Sequence, residues 1–155
     1  MGIYFENYPE QNFTLAIFHG QVVDDELDRH ISELLKETYG RPGKVGLCVI
    51  CESASASKLS HQAVLSAGKR MHQARFRQNG KLAIVARNTV GFGLARAYQL
   101  AAEVAGLDET RVLGGNDFDA AIQWIGVSEF SADIRYKVEQ MEEIHITTGF
   151  TSNPQ

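Results

Sequence analysis

The stretch from Gly80 to Gly126 constrains this chain more than any other. Lys81 to Ala86 is a short, nearly unbroken apolar run, the composition of a strand covered on both faces as parallel strands are. A helix follows at once. Thr89 is placed to cap it, and Val90, Leu94, Ala97, Ala101 and Val104 recur at steps of four, three, four and three, which predicts one inward apolar stripe. Gly106 stops the helix, Arg111 to Leu113 reads as the next strand, and Asn116 or Asp117 caps a helix carrying Phe118, Ala121, Ile122 and Ile125. A strand-helix-strand-helix series of this kind requires right-handed crossovers and a largely parallel sheet.

The first half extends the same pattern. Ile3 to Asn7 and Phe13 to His19 read as a hairpin, with turn residues between Pro9 and Asn12 and a period-two alternation in the second strand. Asp24 or Asp25 starts a helix whose apolar side is Leu27, Ile31, Leu34 and Leu35, and Gly40 with Pro42 ends it. Val45 to Cys51 is apolar throughout and is expected at the centre of the sheet. The loop ESASASKL follows, and Ser60 is placed to cap a helix that turns Val64, Ala67, Met71 and Ala74 inward. These elements predict a two-layer α/β sandwich: a mixed, mostly parallel sheet of about five strands with helices packed on it. Leu47, Val49, Ile84, Val85, Leu94 and Ile122 are its expected core.

Two cysteines, Cys48 and Cys51, lie in the strand VGLCVIC. Residues three apart on a strand face opposite ways, so the pair is read as two small core residues and not as a redox or metal motif. Apolar residues at 44% and charged residues at 22% place the chain among globular proteins, and no apolar run reaches the roughly 18 residues of a membrane span. The N-terminal MGIYFENYPE carries acids where a signal peptide carries bases, so a cytoplasmic location is expected.

Net charge of −4 conceals an uneven distribution. From Ser53 to Ala102 there is no acid against eight bases, Lys58, Lys69, Arg70, Arg75, Arg77, Lys81, Arg87 and Arg96, whereas both flanks are acidic. Such a middle is either a set of solvated faces balanced by the acidic flanks or a surface for an anion.

Beyond Gly126 the organisation changes. Val127, Phe130, Ile134, Val138 and Met141 form a narrow seam, which predicts an amphipathic helix over 127–146 that docks on its own domain or pairs two chains as a homodimer. Residues 1–126 then form the domain, and 147–155, TTGFTSNPQ, are expected to be a flexible tail.

Familiar chemistry is scarce. Gly91-Phe92-Gly93 invites a dinucleotide fingerprint, but Arg96 stands where the third glycine belongs. Walker, nucleophile-elbow and zinc-protease patterns are absent, and His19, His30, His61, His72 and His145 have no ligand spacing, so no cofactor or metal is expected.

At GKLAIVARNTVGFGLARAYQLAAE and RVLGGNDFDAAIQWIG the chain resembles the STAS or SpoIIAA-like family of anti-sigma factor antagonist domains, over about Phe13 to Gly126. The resemblance implies a mixed sheet with helices on one face, a cytosolic location, and action through a protein partner or a small apolar or anionic molecule. Antagonists of that family carry a phosphorylatable serine in a D-S-S-G-L-G type turn. Here the matching segment is KLSHQAV, where Ser60 is the nearest serine and the flanking Asp and Gly-Leu-Gly are missing.

The resulting expectation is a non-enzymatic regulatory or ligand-binding domain, without nucleic-acid binding or membrane insertion. Its site is expected where the carboxyl ends of the parallel strands meet, from Ser57, Ser60, Arg87, Thr89, Gly91, Gly93 and Arg96, with the two arginines converging on an anion. The competing readings are a small enzyme acting on a phosphate or carboxylate ester, and a structural dimerisation module.

Overall fold

The structure, a computed structural model, describes residues 2–37, 40–106 and 108–151. The expected hairpin is β1 (Ile3–Tyr8) and β2 (Phe13–Phe18), antiparallel, with Asn12 at φ 53° closing the turn. Then come β3 (Gln21–Val23), α1 (Asp24–Glu37), β4 (Val45–Ile50), β5 (Ser55–Lys58) and α2 (His61–Gln73). The second half is β6 (Lys81–Ala86), α3 (Thr89–Ala105), β7 (Glu109–Gly114), α4 (Phe118–Ile125) and α5 (Ser131–Thr151), with 3-10 turns ahead of α4 and α5. The main sheet has the order β1-β2-β4-β6-β7, and every pairing after the first is parallel. The α/β sandwich read from the sequence is therefore present, with β4 at its centre.

Strand order moves in one direction from β2 to β7, so crossovers of one hand leave α1, α2 and α3 on the same face. Even-numbered residues of β2, β4 and β6, among them Phe18, Ile50, Leu82 and Ile84, meet these helices, as do Ile3 and Phe5 of β1. The family resemblance implied helices on one face. In this chain α4 and α5 cover the other face as well, packing Ile122, Ile134 and Val138 onto Phe13, Leu15, Ile17, Val49 and Val85. Of the expected core, Leu47, Val49, Ile84, Val85 and Ile122 are buried and Leu94 partly so. Cys51 and Cys48 fall on opposite faces, in the α4–α5 layer and the α1–α3 layer respectively.

Three local expectations are corrected. Thr89 is not the cap of α3: Asn88 is, its side-chain oxygen accepting from the Gly91 amide at 2.7 Å. The stripe expected to face inward on α3 does so only in part: Leu94, Ala97 and Ala101 are half-buried, but its ends face solvent, with Val90 61% and Val104 91% exposed, and the fully buried positions are Gly91, Ala95 and Ala102. Small residues at the contact let the helices lie close: Gly68 of α2 sits against Tyr98 and Ala101 of α3. Asp24 is the first residue of α1, and its carboxylate accepts from the Ser60 amide and hydroxyl at 2.7 and 2.8 Å, tying the start of α2 to that of α1.

The final helix starts at Ser131, after a 3-10 turn at Ser128–Phe130, and runs to Thr151, past the boundary expected at 146. Residues 152–155 of the expected tail lie outside the described residues. Ile134 and Val138 are fully buried within the chain's own core, so the seam is spent on intramolecular docking. Polar contacts fix the helix at both ends. Lys137 bonds Glu6, Tyr8 and Asp133, Glu142 accepts from the amides of Glu52 and Ser53, and His145 Nε2 lies 2.7 Å from His19 Nδ1. Among the described residues no helix is long and apolar enough to cross a membrane.

Candidate functional site

The layer between the sheet and α1–α3 is incompletely filled. The sheet offers it small side chains at Thr14, Ala16 and Cys48, and the helices add Ala67, Gly91 and Ala95. A cavity of about 140 Å³ remains, close to the roughly 150 Å³ at which an apolar protein cavity holds a benzene molecule. Phe5, Phe18, Leu27, Ile31, Met71 and Ile84 supply much of the apolar wall. From Thr14 to Phe18 the wall follows four strand steps, about 13 Å.

At the carboxyl end of the strands this space is bordered by the ribbon of β3 and β5, two short parallel strands that contribute Val22, Ser55 and Ala56 to its lining. Asn88 secures the ribbon. Besides capping α3, its amide nitrogen donates to the carbonyls of Cys51 at 3.2 Å and Ala54 at 2.9 Å. Gly91 is buried beneath, where a Cβ would lie 2.7 Å from Ile50 Cγ2 and 2.9 Å from Asn88 Oδ1. His30 lines the cavity edge-on to Phe5 and Phe18, and burial pushes its imidazole pKa down to about 4 against the opposing pull of Glu26.

The amino end of the strands carries the polar groups. A tight turn with Arg75 and Asn79 at positive φ returns the chain from α2 to β6 and buries Phe76 and Arg77. Arg77 Nε donates to Asp108 Oδ2 at 2.7 Å, its Nη2 donates to Tyr98 Oη at 3.0 Å, and Asp108 also accepts from the Thr110 hydroxyl. Although burial opposes its charge, Tyr98 and Asp108 hold the guanidinium pKa above its ordinary value. Burial likewise raises the Tyr98 phenol, and it pushes the Cys48 thiol to about 12, so that thiol is unsuited to nucleophilic work at neutral pH.

Of the seven residues singled out from the sequence, only Gly91 lines this cavity. Ser57 is exposed on β5, its hydroxyl 3.2 Å from that of Ser55. Ser60 caps α2, accepting from the Ala63 amide at 3.0 Å. Thr89 and Gly93 are exposed on the first turns of α3, and a Cβ at Gly93 would meet nothing within 4 Å. The two arginines do not converge. Arg87 turns toward the α4–α5 side, 3.9 Å from Glu142 and against Gly115 and Phe118, while Arg96 is exposed and bonds Gln99. Their side chains are committed to different surroundings because Arg87 directly follows β6, whereas α3 begins between them and carries Arg96 outward.

Sequence reasoning missed Asn88, Thr14, Gly46 and Tyr98, and it placed Arg77 only among the basic residues. The signal for Asn88 was present in the sequence, since Asn outranks Thr as a cap and stands one residue earlier. No group of three or more His, Cys, Asp or Glu side chains able to hold a metal occurs among the described residues. Comparison with family models, with curated proteins and with solved structures gives no match for this chain.

Proposed function

We propose that this chain is a cytoplasmic, non-enzymatic, STAS-like regulatory domain that binds a small apolar ligand between its sheet and helices α1–α3. The observation that carries the reading is the cavity of about 140 Å³, apolar over most of its wall and lined by small side chains from separate elements. Close packing is the rule in protein interiors, and an unfilled apolar space of this size costs stability that an occupant would restore. The ester-hydrolase alternative draws no support from the site, because Arg87 and Arg96 are apart and the cavity thiol is held protonated.

Toluene is the direct probe. Titrated into the wild-type protein, it is expected to raise the melting temperature in a concentration-dependent way and to shift the amide resonances of Ala16, Cys48 and Ile84. Ala16→Leu fills the same space and is expected to remove the toluene response while leaving the protein folded. A wild-type protein whose melting temperature and spectrum ignore toluene would overturn the proposal.

A further inference from the structure

Most of the cavity wall is apolar, but one end presents hydrogen-bond donors that the fold does not use. Gly46 is the pivot. A Cβ there would stand 3.1 Å from Leu82 Cδ1, 3.3 Å from Thr14 Oγ1 and 3.6 Å from Arg77 Nη1, so the missing side chain leaves a cradle facing one hydroxyl and one guanidinium nitrogen. Both residues are buried, Thr14 at 5% and Arg77 at 4% exposure, and both line the cavity. Arg77 commits Nε to Asp108 and Nη2 to Tyr98, and neither its Nη1 nor the Thr14 hydroxyl makes a hydrogen bond among the described residues. Neither atom is sealed from water, so both face open cavity space, and a guanidinium edge there is a charge-assisted donor for an oxygen acceptor.

Charge selects the kind of acceptor. Lys44, 2% exposed, and Arg77 lie over the same Phe76 ring at 5.2 and 5.4 Å. Asp108 is the one carboxylate paired with either of them among the described residues. Of these groups only Arg77 lines the cavity; Asp108 balances it from behind, and Lys44 stands on the Phe76 side of it. Burial, with Arg41 and Arg77 nearby, holds the Lys44 ammonium below its ordinary pKa, as expected where a compensating anion is missing. A neutral acceptor would take one of the two donors; a carboxylate can accept from Arg77 Nη1 and the Thr14 hydroxyl together, and a guanidinium donor favours the charged acceptor.

Resting on the apolar-cavity reading, we infer that the ligand is a small amphipathic monocarboxylate, its carboxylate seated over Gly46 on Arg77 Nη1 and Thr14 Oγ1 and its apolar body directed toward the β3–β5 ribbon. The cavity volume limits that body to about the size of one aromatic ring or a medium acyl chain.

Benzoate, benzamide and toluene, titrated separately and followed by calorimetry and amide NMR at neutral pH, test this. Wild-type protein is expected to bind benzoate at least tenfold more tightly than benzamide, the margin of a charge-assisted hydrogen bond. Thr14→Val, which keeps the shape and removes the hydroxyl, and Gly46→Ala, which fills the cradle, are each expected to weaken benzoate about tenfold and to change toluene binding less than twofold. Toluene binding without a preference for benzoate, or benzoate binding unchanged in both variants, would overturn the carboxylate assignment and leave the apolar cavity standing. Failure of all three probes would overturn both.

Discussion

Asn88 ties the start of α3 to the loop that leads into the β3–β5 ribbon, and its removal has a calculable cost. In Asn88→Ala the α3 cap to Gly91 is lost, an effect of about 1 kcal/mol in typical hosts. Two further bonds go with it, to the Cys51 carbonyl at 3.2 Å and the Ala54 carbonyl at 2.9 Å, each worth about 0.5 to 1.5 kcal/mol net. The contact to Glu52 at 3.5 Å is too long to add much. The sum is about 2 to 4 kcal/mol, to be read as a shift of the urea midpoint at constant m value. Asn88→Asp keeps the cap acceptor and loses the amide donor, so it is expected to recover about 1 kcal/mol of the loss. Thr89→Ala, one residue along, is expected to change stability by less than about 0.5 kcal/mol. A loss below about 1 kcal/mol for Asn88→Ala, or an equal loss for Thr89→Ala, would refute the assignment of Asn88 as the joint between α3 and the ribbon.

Three other outcomes follow from the packing. Ile134→Glu places a carboxylate at a position that is 0% exposed inside the monomer, so it is expected to unfold the chain in circular dichroism, and not to turn a folded dimer into a folded monomer. Asp108→Ala strands the buried Arg77 charge and is expected to cost about 3 to 5 kcal/mol in chemical denaturation, far more than a surface ion pair such as Arg111–Glu109. His30 gives a pH dependence. Its folded pKa of about 4 lies below the ordinary 6.5, so the unfolded chain binds the extra proton between those values. Stability is then complete above pH 6.5, falls by up to roughly 3 kcal/mol as pH drops to about 4, and levels off below. His30→Phe should flatten that part of the urea-midpoint profile, and an unchanged slope would show that His30 is not the group responsible.

Burial pattern was legible where one principle acted alone. The apolar runs that became β2, β4 and β6 and the inward faces of α1 and α2 follow directly from period and composition. On α3 two stripes competed, one of large side chains and one of small, and hydrophobicity favours the first. Close approach to the sheet at Gly91 and Ala95 favours the second, which rotates the helix until Val90 and Val104 face solvent, and only tertiary packing decides between them. The β3–β5 ribbon was hidden because Ser-Ala-Ser-Lys has little intrinsic strand preference and pairs with a segment far away in the chain. The candidate site was hidden for a related reason. A void is a property of several elements at once, and no single segment announces that Thr14, Gly46, Gly91 and Ala95 are all small on the same side. Arg77 looked like one more member of a basic stretch, since its burial depends on a turn whose geometry needs Lys44, Gly80 and Asp108 in place.

The incompletely filled layer also fixes how the protein responds to compression. About 140 Å³ of space eliminated on unfolding corresponds to an upper bound on the order of 80 mL/mol of volume decrease, toward the large end of the range for globular domains. Hydrostatic pressure should therefore act first on the α1–α3 side of the sheet, where the volume resides. The α4–α5 side, built on Phe13, Ile122, Ile134 and Val138, should yield later. One sheet thus joins a compressible half to a stiff half, and an occupant of the cavity would make the two mechanically alike.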